Sequence, residues 1–254
     1  VRSIIALDAN ASVPPVAGAR DAVLMALEAS AGRNPSSPHA PGRAARRILD
    51  EARDACAIMC GASSREIFFT SGATEGNRFV VDSLVEAARA AGRPWRVVTS
   101  PLEHPSLHKP LARAAARGAL DVVTLPVRDG ALDLDGGAGD LGDADAVVVT
   151  AAHNETGLIT GLERLLRHVG PHTLVAVDAA QSLGRRGPPP ARVDVVVASG
   201  HKLGGVCGAG VLVLRGRARA LPLPWVAGGQ EQGVRPGTEN VLGIAGLGAA
   251  ARVI

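Results

Sequence analysis

The 254-residue sequence predicts an α/β fold, a mostly parallel, doubly wound sheet flanked by helices. Three observations point there. Short β-branched runs, such as Ala146–Thr150 and Val193–Ala198, alternate with stretches whose apolar residues recur at helical spacing. Small and polar clusters follow strand after strand, at 71–75, 103–104, 153–155, 178–181 and 199–202. The length is enough for one large domain with a substantial core.

Taken in order, Ile4–Leu7 reads as a short strand, and the following Asp8–Ser12 with Pro14-Pro15 as a turn. Residues 16–31 carry a helical pattern, which Asn34–His39 interrupts. A long amphipathic helix is expected over 42–60, with Gly61 as its stop. The strand 66–70 runs into Ser71-Gly72-Ala73-Thr74-Glu75-Gly76-Asn77 and a helix to about residue 91. Then come a strand at 96–99, a helix from His104 to about 117, and a strand at 121–125. Gly130–Asp145, rich in Gly and Asp, reads as a loop. Strand 146–150, helix 161–169, strand 173–177 and the strand ending at Ser199 follow. A glycine-rich turn at 204–210 leads to strand 211–214, and a loop through Asn240 to a helix running to the end.

Composition narrows the function. Hydrophobic and charged fractions of 46% and 20% are ordinary for a soluble globular protein. Aromatic residues are 2% of the chain, so Ala, Val, Leu and Ile must build the core. The net charge of +3 is small and its basic residues are scattered, which argues against nucleic acid as a partner. No apolar run approaches a membrane span, and no signal-peptide pattern opens the chain. The three cysteines, Cys56, Cys60 and Cys207, have no framework spacing, which favours a reducing compartment; a cytoplasmic location is the expectation. Cys56 and Cys60, four apart, should share a buried helix face. No metal-ligand cluster is expected.

In open α/β sheets the carboxyl ends of the strands build the site, so the five polar clusters should face one crevice. Lys202, after a strand, can form a Schiff base with an aldehyde cofactor, or be a solvated charge. The strand–glycine turn–helix arrangement at 71–77 can cradle phosphate with free N–H groups and a helix dipole. Taken by itself, the same Ser-x-x-Thr-Glu start reads first as an ordinary helix cap.

The chain resembles the cysteine desulfurase branch of the class V aminotransferase group, among fold-type I pyridoxal-phosphate enzymes. The matching stretches are Leu7–Ala11, Asn34–His39, Phe69–Glu75, Glu103-His104, Asn154–Gly157, Val177–Gln181, Ser199–Lys202, Gly228–Glu231 and Arg235–Asn240, in family order over nearly the whole chain. The resemblance implies that Lys202 holds the cofactor aldehyde and later moves the substrate's α-proton. It implies that Asp178 pairs with the pyridinium nitrogen, Gln181 donates to the ring's phenolic oxygen, and His104 stacks on the ring and can shuttle a proton. Ala73, Thr74, Ser199 and His201 would hold the phosphate, and Asn154 would lie near the ring oxygen and the substrate carboxylate. Thr238 would reach the phosphate of a neighbouring subunit, which implies a homodimer.

Two departures stand out. His153 replaces the first of two adjacent asparagines. The family's C-terminal small domain, with its carboxylate-binding arginine and cysteine loop, has no counterpart before Ile254, so residues 1–254 are expected to be a large cofactor-binding domain, apparently C-terminally truncated. Cys207, close in sequence to Lys202, resembles no family nucleophile. The implied reaction is L-cysteine to L-alanine, with sulfur passing to a thiol acceptor and onward to iron–sulfur cluster assembly or other sulfur metabolism. Little sulfide release is expected from this chain alone. The alternatives are another class V activity, aminotransfer or selenocysteine cleavage, and a non-catalytic cofactor-binding homologue. The Arg-x-Gly-Thr-Glu-Asn run favours the desulfurase.

Overall fold

The computed structural model describes residues 7–30 and 32–254. Two helices come first, α1 (Ala17–Ser30) and α2 (Ala40–Cys60). His39 starts α2 by accepting the Gly42 N–H on Nδ1, and Pro41 occupies the first turn, where a missing N–H is harmless. Gly61 ends it in the left-handed region, returning its N–H to carbonyls of the last turn.

Strands and helices then alternate as β1 (Ile67–Thr70), α3 (Ala73–Ala91), β2 (Trp95–Thr99), α4 (Pro105–Ala116) and β3 (Leu120–Thr124). After them come β4 (Val127–Arg128), β5 (Ala131–Leu132), α5 (Ala138–Gly142), β6 (Ala146–Thr150), α6 (Leu162–His168) and β7 (Leu174–Asp178). The last are β8 (Val195–Ser199), β9 (Gly210–Leu214) and α7 (Val241–Ala251). The main sheet has the order β1-β9-β8-β7-β6-β2-β3. Its strands β8, β7, β6, β2 and β3 pair in parallel, while β9 is antiparallel to both β8 and β1. The direction of β1 therefore matches the parallel five, and their carboxyl ends share one edge. The chain steps from β2 outward to β3, then returns to build β6, β7 and β8 on the other side. The switch in strand order, where such sheets open a crevice, lies between β2 and β6.

Both faces of the sheet are covered. Val147, Val149, Val175 and Val177 pack with Leu49, Leu141, Leu165 and Leu247 from α2, α5, α6 and α7. Val148, Ala176, Val195 and Val197 pack with Phe79, Leu84, Leu107 and Leu111 from α3 and α4. Two buried faces explain why the strands read as unbroken apolar runs. Helix α3 comes close to β8 because residue 76 is glycine; a Cβ there would lie 2.7 Å from Val197 Cγ1.

The expected doubly wound sheet is present, and its strands lie within two residues of the sequence-based bounds. Elsewhere the structure differs. Gly130–Asp145 is not all loop: Gly130 closes a hairpin turn with Asp129, with φ of 50° at Asp129 and 72° at Gly130, joining β4 to β5. Beyond it α5 forms and buries Leu141. The expected strand at Ile4–Leu7 falls, apart from Leu7, outside the described residues; Leu7 itself is in no strand. Helix α7 closes at Ala251 rather than at the last residue. Among the described residues no helix is long and apolar enough to cross a membrane.

Candidate active site

All five polar clusters meet at one cleft of about 320 Å³ on the carboxyl edge of the sheet. Of the ten site residues expected from sequence, nine line it, and Thr238 does not.

One end of the cleft is built by the start of α3. Among the described residues no side chain caps this helix. Glu75 Oε2 instead accepts the Ser71 N–H at 2.7 Å, and Glu75 Oε1 accepts from Arg235 Nε at 2.8 Å. Among the described residues the first-turn N–H groups at Ala73 and Thr74 thus have no side-chain acceptor, which suits an anion. The turn reaches this position by crossing β9 at Gly210, where a Cβ would lie 2.6 Å from Gly72 Cα. Gly210 also pairs with Thr70 on one side and Ser199 on the other, which sets the turn beside Ser199. The helix start is thus left open to either of the two sequence readings of 71–77, with its first N–H groups uncapped by side chains among the described residues.

Lys202 ends the 3-10 turn Gly200–Lys202 that follows β8. The amine is half-buried, and burial pulls its pKa below the ordinary lysine value; Arg185 adds to the shift and Asp178 opposes it. His201 is shifted down as well, by burial and then by Lys202. The chain has only two lysines, Lys109 and Lys202, and Lys109 is exposed on α4. Arginine supplies nearly every other fixed cation. A lysine kept in the cleft offers what arginine cannot, an amine able to become neutral and attack a carbonyl.

Asp178 ends β7 and is buried. Its Oδ1 accepts the Ala180 N–H at 2.9 Å and its Oδ2 accepts from Asn77 Nδ2 at 2.7 Å. Asn77 Nδ2 also lies 2.9 Å from Ser106 Oγ, which is 2.7 Å from His104 Nδ1. The Ser106 N–H donates to the same Nδ1 at 3.1 Å. These donors make Nδ1 an acceptor and put the imidazole proton on Nε2. Sequence reasoning missed Asn77 and Ser106. The usable signal was spacing, since Asn77 lies three and four residues beyond Thr74 and Ala73 and so shares their helix face.

The segment 8–13 is hydrogen-bonded to residues that line the cleft. Asn10 Nδ2 donates to the Asn154 carbonyl and Gln181 Nε2 donates to the Asn10 carbonyl, both at 2.8 Å. Arg185 holds the Ala9 carbonyl at 3.0 Å, and the Val13 N–H reaches the His201 carbonyl at 3.2 Å. Asn154 and Gln181 therefore line the cleft with this strap across them.

Thr238 is exposed in a neighbouring hollow of about 220 Å³ with Arg235 and Glu239; Ser71 lines both spaces. His153 is not among the residues lining the cleft; its Nδ1 lies 2.9 Å from Thr156 Oγ1, so this departure shapes a turn. Cys207 is exposed on the glycine-rich turn outside the cleft, whereas Cys56 and Cys60 are buried on α2 as expected. Among the described residues no cluster of His, Cys, Asp and Glu could hold a metal ion.

Such a fold and cleft define an α/β protein whose sheet edge offers one ligand an amine, a carboxylate and an anion cradle. Residues 5–254 match the family model for class V aminotransferases, and the chain belongs to that family. Members of this family are pyridoxal-phosphate enzymes. A cysteine desulfurase of Frankia sp. (strain EuIK1) is 38% identical over 98% of this chain and 62% of its own length. A human selenocysteine lyase is 32% identical over 98% of this chain and 63% of its own length. A solved NifS-like protein superposes with a TM-score of 0.89 at 31% identity, covering 97% of this chain and 68% of that one. The chain thus spans a little under two thirds of the length of the curated relatives it matches.

Proposed function

We propose that residues 1–254 form the cofactor-binding large domain of a pyridoxal-phosphate enzyme that removes sulfur from L-cysteine, leaving L-alanine. The observation that carries this reading is the half-buried Lys202 amine in one cleft with the buried Asp178 carboxylate and the uncapped start of α3. The donor set fits the cofactor. A phosphate dianion matches the N–H groups of Ala73 and Thr74 with the donors of Ser199 and His201, and a ring cation matches Asp178.

When bound, pyridoxal phosphate supplies an aldehyde that captures amines and a ring that draws electrons from the substrate's Cα. Lys202 is the amine that holds the aldehyde, and its lowered pKa favours the neutral, nucleophilic form. With its amine free, Lys202 would be the base that takes the substrate's α-proton. Asp178, fixed by Asn77 and Ala180, would face the ring nitrogen and favour a proton there. His104, with its proton on Nε2, would stack on the ring and could hand that proton on. Gln181 would donate to the ring oxygen, and Asn154 would serve the ring oxygen and the substrate carboxylate. Thr238, outside this cleft, serves the phosphate of a second copy, which makes the working form a homodimer. The sulfur leaves to a thiol, then to an acceptor protein such as an iron–sulfur assembly component, in the cytoplasm.

A second reading has support from the relatives. Selenocysteine lyases match nearly as well as desulfurases, and the same cleft residues serve either substrate. The test uses α-proton chemistry, which needs only the cleft. The chain, loaded with pyridoxal phosphate in deuterated water, is expected to exchange the Cα hydrogen of cysteine, as followed by proton NMR. Lys202→Ala should reduce that exchange at least a hundredfold. Exchange no faster than with free cofactor contradicts the reading.

A further inference from the structure

Glu103 stands one residue before His104 but takes no part in the scheme above. Its side chain turns inward from the loop after β2 and is buried. Oε1 accepts two hydrogen bonds, from Ser100 Oγ and from the Thr150 N–H at 3.0 Å. Oε2 is fully buried and has no partner among the described residues. Thr150 ends β6 and sits in register with Asp178 on β7. Two buried carboxyls thus lie one strand apart at the sheet edge, on either side of Thr150.

We propose that Glu103 is a positioning residue for Asp178: of the two carboxyls Glu103 carries the proton, so that Asp178 keeps the charge that faces the cleft. This rests on the reading of Asp178 as the partner of the ring nitrogen. Two carboxyls in one desolvated region do not both ionise readily. The distribution of donors decides between them. Asp178 has a donor on each oxygen, whereas Glu103 has both donors on Oε1 and none on Oε2. A bare buried carboxylate oxygen is costly, and a proton on Oε2 removes the charge. Burial first, and the Asp178 charge in addition, push the Glu103 carboxyl up to about 7, against the opposing donors Ser100 and Thr150. Among the described residues Asp178 is the charged group whose field reaches Glu103. His104 next to it turns Nδ1 to Ser106, and Lys202 acts on the same Asp178 from beyond β8.

The consequence is a proton-linked setting of the site. Below neutral pH Glu103 holds its proton and adds no charge beside Asp178. Above it, Glu103 releases its proton and a second negative charge arrives. Groups that hold a proton against Asp178, the ring nitrogen and Lys202, then hold it more tightly.

The test is carboxyl ¹³C NMR of the glutamate-labelled chain without cofactor. One resonance is expected to titrate near pH 7 and to be missing in Glu103→Gln. Asp178→Asn removes the neighbouring charge and should lower that midpoint by roughly one pKa unit. Ser100→Ala removes a donor to the charged form and should raise it. These two arms read the same resonance even where Glu103→Gln folds poorly. No glutamate titrating near neutrality, or a midpoint unmoved by Asp178→Asn, overturns the proposal. Cofactor attachment at Lys202 is a separate measurement. Normal attachment with an ordinary Glu103 refutes the role of Glu103 alone, and failed attachment refutes the site reading. In the loaded protein, Glu103→Gln should remove a step near neutrality from the absorbance–pH curve of the bound cofactor, and a curve that keeps this step counts against the proposal.

Discussion

Asn77 donates its amide N–H to the Asp178 carboxylate at 2.7 Å, and both residues are buried. One comes from the first turns of α3 and the other from the end of β7, so this bond ties the anion cradle to the carboxylate. Replacing Asn77 by Ala leaves a buried carboxylate oxygen without its donor, which costs about 1–3 kcal/mol. The expected result is a lower melting temperature and a cofactor dissociation constant raised roughly tenfold. Calorimetric melting and equilibrium dialysis with pyridoxal phosphate would measure the two effects. Unchanged values in both would mean that Asp178 does not depend on Asn77.

Gly210 is the crossing point of the cradle over β9. A methyl group there meets backbone on two sides, Gly72 Cα at 2.6 Å and the Ala198 carbonyl at 2.8 Å. Neither neighbour can swing aside as a side chain can. Gly210→Ala should destabilise the fold by about 1–3 kcal/mol and displace the turn 71–75. Denaturant unfolding gives the first effect and loss of cofactor affinity the second.

The Glu75–Arg235 pair makes an acid prediction. Burial alone would raise the Glu75 carboxyl, but hydrogen bonds from Arg235 and Ser71 outweigh it and hold the pKa below the ordinary 4.5. Between those two values the unfolded chain binds more protons than the folded one, so stability rises with pH. The contribution is fully present above 4.5 and is lost as pH falls through the folded value. Glu75→Gln should cost about 1 kcal/mol at neutral pH and progressively less in acid. Parallel melting curves of the two proteins from neutral pH to below 4 would show the gap closing; a constant gap would contradict the assignment.

The thiols are expected to behave in two classes. Burial drives Cys56 far above the ordinary thiol range and Cys60 up to about 12, while Cys207 is exposed. A chromogenic disulfide reagent should modify one thiol per folded chain and all three after denaturation. Mass mapping should place the fast site at Cys207.

Much of this site is legible in the sequence because strand ends are. Asp178, Ser199 and Lys202 follow runs of Val that can only be buried strands, and parallel strands bring their ends to one edge. Asn77 and Ser106 escaped because a polar residue inside a helical pattern looks like surface until its neighbours in space are known. Thr150 escaped because its backbone N–H, rather than its side chain, does the work. The hairpin before α5 was hidden by glycine and aspartate that mark a loop and a tight turn alike. The strap formed by Asn10 depends on contacts with Asn154 and Gln181 more than 140 residues away, which no local pattern encodes.

The central claim is that Lys202 captures the cofactor aldehyde, and the scarcity of lysine makes it unusually testable. Besides the amino terminus, only Lys109 competes. The chain is incubated with pyridoxal phosphate, reduced with borohydride, digested and mapped by mass spectrometry. The expected result is one pyridoxyl group per chain on Lys202, with Lys109 unmodified. An unmodified Lys202 in cofactor-treated protein, or equal labelling of Lys109 and Lys202, would contradict it.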